Sequence, residues 1–128
     1  MKILLDTNAL IWWLRDDPKL GPQARQIVAD RSSEIMVSVI SLWEVTMKWR
    51  VGKMDYAGSA FLDDLNSAGI MPLGISAPHL LALEALGFEH RDPFDHLILA
   101  QAIVEGARVM TSDRDMTLYG VRCIPANR

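Results

Sequence analysis

The chain has 128 residues but a single cysteine, Cys123, so it can form no internal disulfide and has no second thiol with which to build a zinc site. A reducing cytoplasm is the expected setting. No apolar run approaches the roughly 20 residues that a membrane-spanning helix needs. The N-terminal stretch Met1 to Leu14 places a lysine before an apolar run, as a secretory leader does. Asp6 and Asn8 break that run, and no small-residue cleavage site follows, so neither targeting nor a membrane is expected. There is also no repeat, low-complexity segment or linker. One domain across residues 1–128 is expected, of a size that buries roughly two-thirds of the surface its unfolded chain exposes. Half of the residues are hydrophobic and 23% are charged, the balance of an ordinary globular protein. Positive charge is not in excess either. A formal net charge of −3 weighs against a nucleic-acid ligand unless some of the acids are neutralised in another way.

Apolar patterning divides the chain into alternating elements. Lys2 to Leu5 reads as a strand and Ala9 to Leu14 as a helix. After a turn marked by Pro18 and Gly21, Gln23 to Arg31 reads as a helix with Ala24, Ile27 and Val28 on one face. Glu34 to Val39 is a strand, Leu42 to Val51 a helix stopped by Gly52, and Ser59 to Ser67 a helix ending near Gly69. Ile70 to Leu73 is a strand, Ala77 to Leu86 a helix, and Pro93 to Glu105 the longest helix, stopped by Gly106. Arg108 to Thr111 and Val121 to Ile124 are short strands. Strands alternating with helices in this way predict an α/β fold, a mostly parallel sheet covered by helices on both faces. In such folds ligands bind outside the carboxyl ends of the strands.

Four acids fall at that edge. Asp6 follows the first strand and Asp113 follows the run Arg108 to Ser112, while Glu44 and Asp95 lie in the first turns of helices that begin where strands end. Each also fits a capping role: Ser41 with Glu44 as a capping box, Asp92 as N-cap ahead of Pro93 and Asp95, and Asp6 and Asp113 as caps of whatever follows them. Their coincidence raises a second reading. Two carboxylates about 4 Å apart repel by roughly 4 kcal/mol at an effective dielectric of 20. A divalent cation with oxygen ligands would relieve that repulsion at all four, and a set with no cysteine or histidine suits Mg²⁺ or Mn²⁺ rather than zinc. Setting these four aside leaves 12 acids against 13 bases, a nearly neutral remainder that no longer argues against RNA.

Four segments, in order, carry a resemblance: Leu4-Leu-Asp-Thr-Asn8, Val37-Ser-Val-Ile-Ser-Leu-Trp-Glu-Val45, Asp92-Pro-Phe-Asp-His-Leu-Ile-Leu-Ala-Gln-Ala102 and Met110-Thr-Ser-Asp113. No one of them is specific, but together and at these separations the chain resembles the PIN domain of VapC-type bacterial toxins over nearly its whole length. The resemblance implies an α/β/α sandwich, endoribonuclease activity dependent on Mg²⁺ or Mn²⁺, a homodimer, and a cognate antitoxin whose tail lies across the nuclease groove. It places the metal-site acids, and with them catalysis, on Asp6, Glu44, Asp95 and Asp113. Asn8 departs from the histidine often found there in the family. Asp92 reads as a cap, Asp115 as solvent-facing, and Thr7 and Ser112 as turn formers or as orienting hydroxyls.

Lys48, Arg50 and Lys53 near Glu44, and His90, Arg91 and His96 near Asp95, read either as a solvated charged face or as phosphate-binding groups, with His96 a surface histidine in preference to a further ligand beside Asp95. Trp12, Trp13, Trp43, Met47, Trp49 and Met54 are more bulk than two short amphipathic helices bury, which predicts an interface. A partner helix over that surface, sending an arginine into the acids, would inhibit. Two other classes compete. A non-catalytic α/β binding module would use the acids only as caps. A phosphotransfer enzyme with an aspartyl nucleophile at Asp6 usually has a second Asp where Asn8 stands, and a lysine near the later acids. A flap nuclease normally needs extra helical elements that this length leaves little room for.

Overall fold

A computed structural model describes residues 1–88 and 92–128. His90 and Arg91 therefore lie outside the described residues. Among the described residues four strands, β1 (Lys2–Leu5), β2 (Glu34–Met36), β3 (Arg108–Thr111) and β4 (Cys123–Pro125), form a sheet in the order β2-β1-β3-β4. All three pairings are parallel, with Leu4 opposite Met36 on one side and Val109 on the other. The helices among the described residues are α1 (Thr7–Leu14), α2 (Pro22–Ala29), α3 (Val39–Arg50), α4 (Gly58–Ser67), α5 (Ala77–Glu84) and α6 (Pro93–Glu105), with a 3₁₀ helix at Arg114–Tyr119.

β1 reads as a continuous apolar run because both of its faces are covered. Ile3 and Leu5 pack on one side with Leu10, Ala24, Phe61 and Met110, drawing in α1, α2 and α4. Leu4 points to the opposite core, where it meets Ile98, Leu99 and Val109 beneath α6. The sheet is thus the middle layer of an α/β/α sandwich. α3 serves both cores, giving Val45 to the first and Ile40 to the second. Each fully buried aliphatic side chain contributes about 1.5–3 kcal/mol. No helix among the described residues is long and apolar enough to cross a membrane.

Several boundaries differ from the sequence reading. Ile70 to Leu73 is not a strand: only Leu73 bridges to the sheet side, opposite Ser38, with its N–H donating to Val37 O and its carbonyl accepting from Val39 N. Pro72 has no N–H to offer a ladder. β2 ends at Met36 because Ser38 already caps α3, its hydroxyl accepting from Ile40 N at 3.0 Å. β4 begins two residues later than its apolar pattern suggested.

Candidate metal centre

β1 is followed in the chain by β2 on one side, whereas β3 lies on the other. A sheet of this kind opens a crevice at that change of direction, outside the carboxyl ends of the strands. Asp6 is the first residue after β1 and Asp113 the second after β3, so the two acids flank the crevice.

Asp6 is 5% exposed. Its Oδ1 accepts the Ala9 N–H at 2.8 Å, capping α1. Burial pushes its carboxyl up to about 6, with further upward pressure from the charges of Glu44 and Asp113, and against the hydrogen bonds from Thr111 and Ala9. Glu44, in the second turn of α3, is 6% exposed. Its Oε1 accepts the Thr7 hydroxyl at 2.7 Å, the Ser41 hydroxyl lies 3.0 Å from that of Thr7, and Lys48 Nζ holds Oε2 at 2.6 Å. Asp95 follows Asp92, which caps α6 by accepting from Phe94 N and Asp95 N at 3.0 and 3.3 Å. Its carboxyl is pushed up to about 8, first by burial and then by the charges of Asp92, Asp6, Glu44 and Asp113. Asp113 is exposed and caps the 3₁₀ helix, accepting from Asp115 N at 2.9 Å. Its own N–H donates to Thr111 Oγ1 at 3.0 Å.

The four acids from four segments therefore lie within electrostatic reach of one another. Capping does not exclude ligation, because an ionised carboxylate offers about four lone-pair sites and a cap takes one. The donors are all hard oxygens. Two of the acids stay protonated above the ordinary carboxylate range, so a cation here would displace protons rather than compete with a preformed counter-ion at Asp6. Among the described residues no group of three His, Cys, Asp or Glu side chains is drawn close enough to hold a metal ion as it stands. That looseness fits a cation such as Mg²⁺, which keeps several waters and takes only one or two carboxylates directly.

The structure also changes some roles. Ser41 is not an N-cap, because α3 starts three residues earlier at Val39; Ser41 and Glu44 instead meet through Thr7. His96 is not a surface histidine: it is buried, with Nε2 3.0 Å from the Tyr119 hydroxyl and its ring edge-on to Phe88. Lys48 pairs with Glu44 rather than standing free on a charged face. Asn8 and Asp115 are exposed. Thr111 was missed by the sequence reading. It links Asp6 to Asp113, and its only signal was its place at the end of an apolar run, just before Ser112.

The family model of the PIN domain matches residues 3–121. The chain belongs to the PIN domain family. Among individual proteins, this PIN domain is 27% identical over 118 residues to ribonuclease VapC22 of Mycobacterium tuberculosis, covering 88% of this chain and 87% of that protein. Its fold is similar to that in the crystal structure of VapBC2 from Rickettsia felis bound to a DNA fragment from their promoter, with a TM-score of 0.72 at 20% identity, covering 97% of this chain and 98% of the other. It is also similar to that of FitAcB from Neisseria gonorrhoeae, with a TM-score of 0.68 at 18% identity and 97% of each chain covered.

Proposed function

We propose that this PIN domain is the endoribonuclease toxin of a toxin–antitoxin pair, and that Asp6, Glu44, Asp95 and Asp113 hold a Mg²⁺ or Mn²⁺ ion at which RNA phosphodiester bonds are hydrolysed. The observation that carries the reading is the raised carboxyl of Asp95, on which burial and four other acids act together at the mouth of the β1/β3 crevice. The relative named a ribonuclease and the neighbours solved as VapBC and FitAcB support the choice of RNA chemistry and of a toxin role.

A bound divalent cation supplies charge stabilisation at the phosphodiester and an acidified water. The chain's own residues do the positioning. Thr7 fixes one Glu44 oxygen and Thr111 holds Asp6 against the Asp113 backbone, so the acids are oriented before anything binds. Lys48 neutralises Glu44 when the site holds no other cation. Single-stranded loops are the expected substrate, since the narrow major groove of an RNA duplex is closed to side chains.

Two apolar surfaces support a homodimer and an antitoxin. One is the groove of about 590 Å³ lined by Leu80, Leu83, Leu86, Phe88 and Pro93, with Phe88 87% exposed. The other is the exposed surface of α3, where Trp43 and Met47 share one face and Trp49 is exposed on another, while Trp12, Trp13 and Met54 pack against the core. An antitoxin that covered α3 and sent an arginine into the acids would exclude metal and substrate together. Incubating the purified chain with mixed structured RNAs in Mg²⁺, in Mn²⁺ or in chelator tests the reading. Cleavage confined to the metal-containing samples, and absent from Asp95→Asn, is expected. Equal cleavage in chelator, or none under any condition, would overturn it.

A further inference from the structure

Trp43 is half exposed, at 50%, yet it stands next in sequence to Glu44. It belongs to neither apolar core. Its ring meets that of Phe94, the residue before Asp95, edge-to-face at 5.0 Å and 77°. Two of the proposed site acids are thus each adjoined by an aromatic residue, and the two aromatics touch across the α3–α6 packing. On α3, Met47 and Arg50 follow Trp43 at the i+4 and i+7 positions, so all three share one face. Arg50 Nη1 lies 3.8 Å from Met47 Sδ, whereas Lys48, in the same last turn, is held by Glu44. Seven residues of helix place Arg50 about 10 Å from Trp43. An aromatic platform with cations further along one helix is how single-stranded nucleic acid is held: bases stack on the rings while the backbone follows the positive charge.

We infer that Trp43, braced by Phe94, is a stacking subsite for an unpaired RNA base next to the scissile bond, and that Arg50 receives a phosphate of the same strand. The inference rests on the ribonuclease reading above. It makes Trp43 a binding residue that touches substrate without acting on the reacting atoms. An antitoxin seated on α3 would cover this same face in the inhibited complex, so the subsite is one of the free chain. The Arg50 cation and the position beside two site acids favour the nucleic acid.

The test uses the full chain in Mg²⁺, with cleavage kinetics on a single-stranded RNA, and binding in the inactive Asp6→Asn background. Two binding probes of equal length are compared, a short mixed-sequence single-stranded oligonucleotide and its abasic sugar-phosphate counterpart. Trp43→Ala is expected to weaken the base-bearing probe about tenfold and to raise KM by the same factor with kcat nearly unchanged. The abasic probe should bind parent and variant alike. Trp43→Tyr should restore binding while abolishing the fluorescence quenching that the base-bearing probe causes in the parent, because the remaining Trp12, Trp13 and Trp49 do not stack on the base. Arg50→Gln should weaken both probes. Equal losses for both probes in Trp43→Ala, or no loss for either, would overturn the subsite. So would weaker binding of a co-purified partner protein with both probes unaffected. A parent that neither cleaves nor binds RNA would instead overturn the ribonuclease reading, and the subsite with it.

Discussion

Asp6→Asn should make the metal-free chain more stable while abolishing RNA cleavage. In the folded chain the Asp6 carboxyl titrates at about 6, against 3.8 when unexposed to burial and its neighbours. Between those values the folded state holds the proton more tightly than the unfolded state, so stability falls as pH rises through that window and levels off above it. A displacement of about 2 corresponds to roughly 3 kcal/mol of cost once the group is fully ionised. Asparagine caps a helix as well as aspartate does, so the Ala9 N–H stays satisfied. The weakened bond from Thr111 offsets about 1 kcal/mol. The net expectation is a gain of about 2 kcal/mol at about pH 8, shrinking to zero or below at about pH 4. Urea unfolding at both pH values in chelator measures it. Added Mn²⁺ should stabilise the parent and leave the variant unchanged. A variant less stable than the parent by the same amount at both pH values would refute the reasoning, since it would mean that the folded state does not disfavour the Asp6 charge.

Asp92→Asn keeps the α6 cap but removes the charge that, after burial, does most to raise Asp95, so Asp95 should titrate below its present value of about 8 in a carboxyl NMR titration. Gln101→Leu should cost about 2 kcal/mol by urea unfolding. The reason is that the buried Ser38 hydroxyl, 2.5 Å from Gln101 Oε1, and the Gly74 carbonyl both lose their partner. Gly106→Ala should cost about 1 kcal/mol of thermal stability. Gly106 ends α6 at φ 65°, where a Cβ is strained even though open space surrounds it. Mapped cleavage of a structured RNA should fall in loops rather than stems, as primer extension would reveal.

The fold was legible because β1 and α6 carry strong, unambiguous patterns: Ile3, Leu4 and Leu5 without a polar interruption, and Pro93 to Glu105 between Asp92 and Gly106. The acids were placed because strand ends and helix starts can be read from such patterns: Asp6, Asp95 and Asp113 fall there, whereas Glu44 lies a turn further into α3 than its pattern suggested. Boundaries set by single hydrogen bonds were not. The α3 start turned on Ser38 rather than Ser41 as the capping serine, and both are followed by apolar residues. Ile70 to Leu73 is apolar enough for a strand, but Pro72 and the neighbouring turn leave it a single bridge. Side-chain partners were least legible. Nothing local distinguishes a buried His96 bonded to Tyr119 from a surface histidine, or shows that Thr111 rather than Ser112 would reach Asp6. Those roles depend on residues 23 and more than 100 positions away.

Titration of Mn²⁺ into the metal-free chain at neutral pH, by calorimetry in buffers of differing ionisation enthalpy, tests the carboxylate site most directly. Because Asp95 titrates at about 8 and Asp6 at about 6, binding should release protons, and the apparent enthalpy should therefore change with the buffer. Asp6→Asn and Asp95→Asn should each abolish the binding heat. Absence of binding in the parent, or undiminished binding in both variants, would contradict the assignment of a metal centre to these acids.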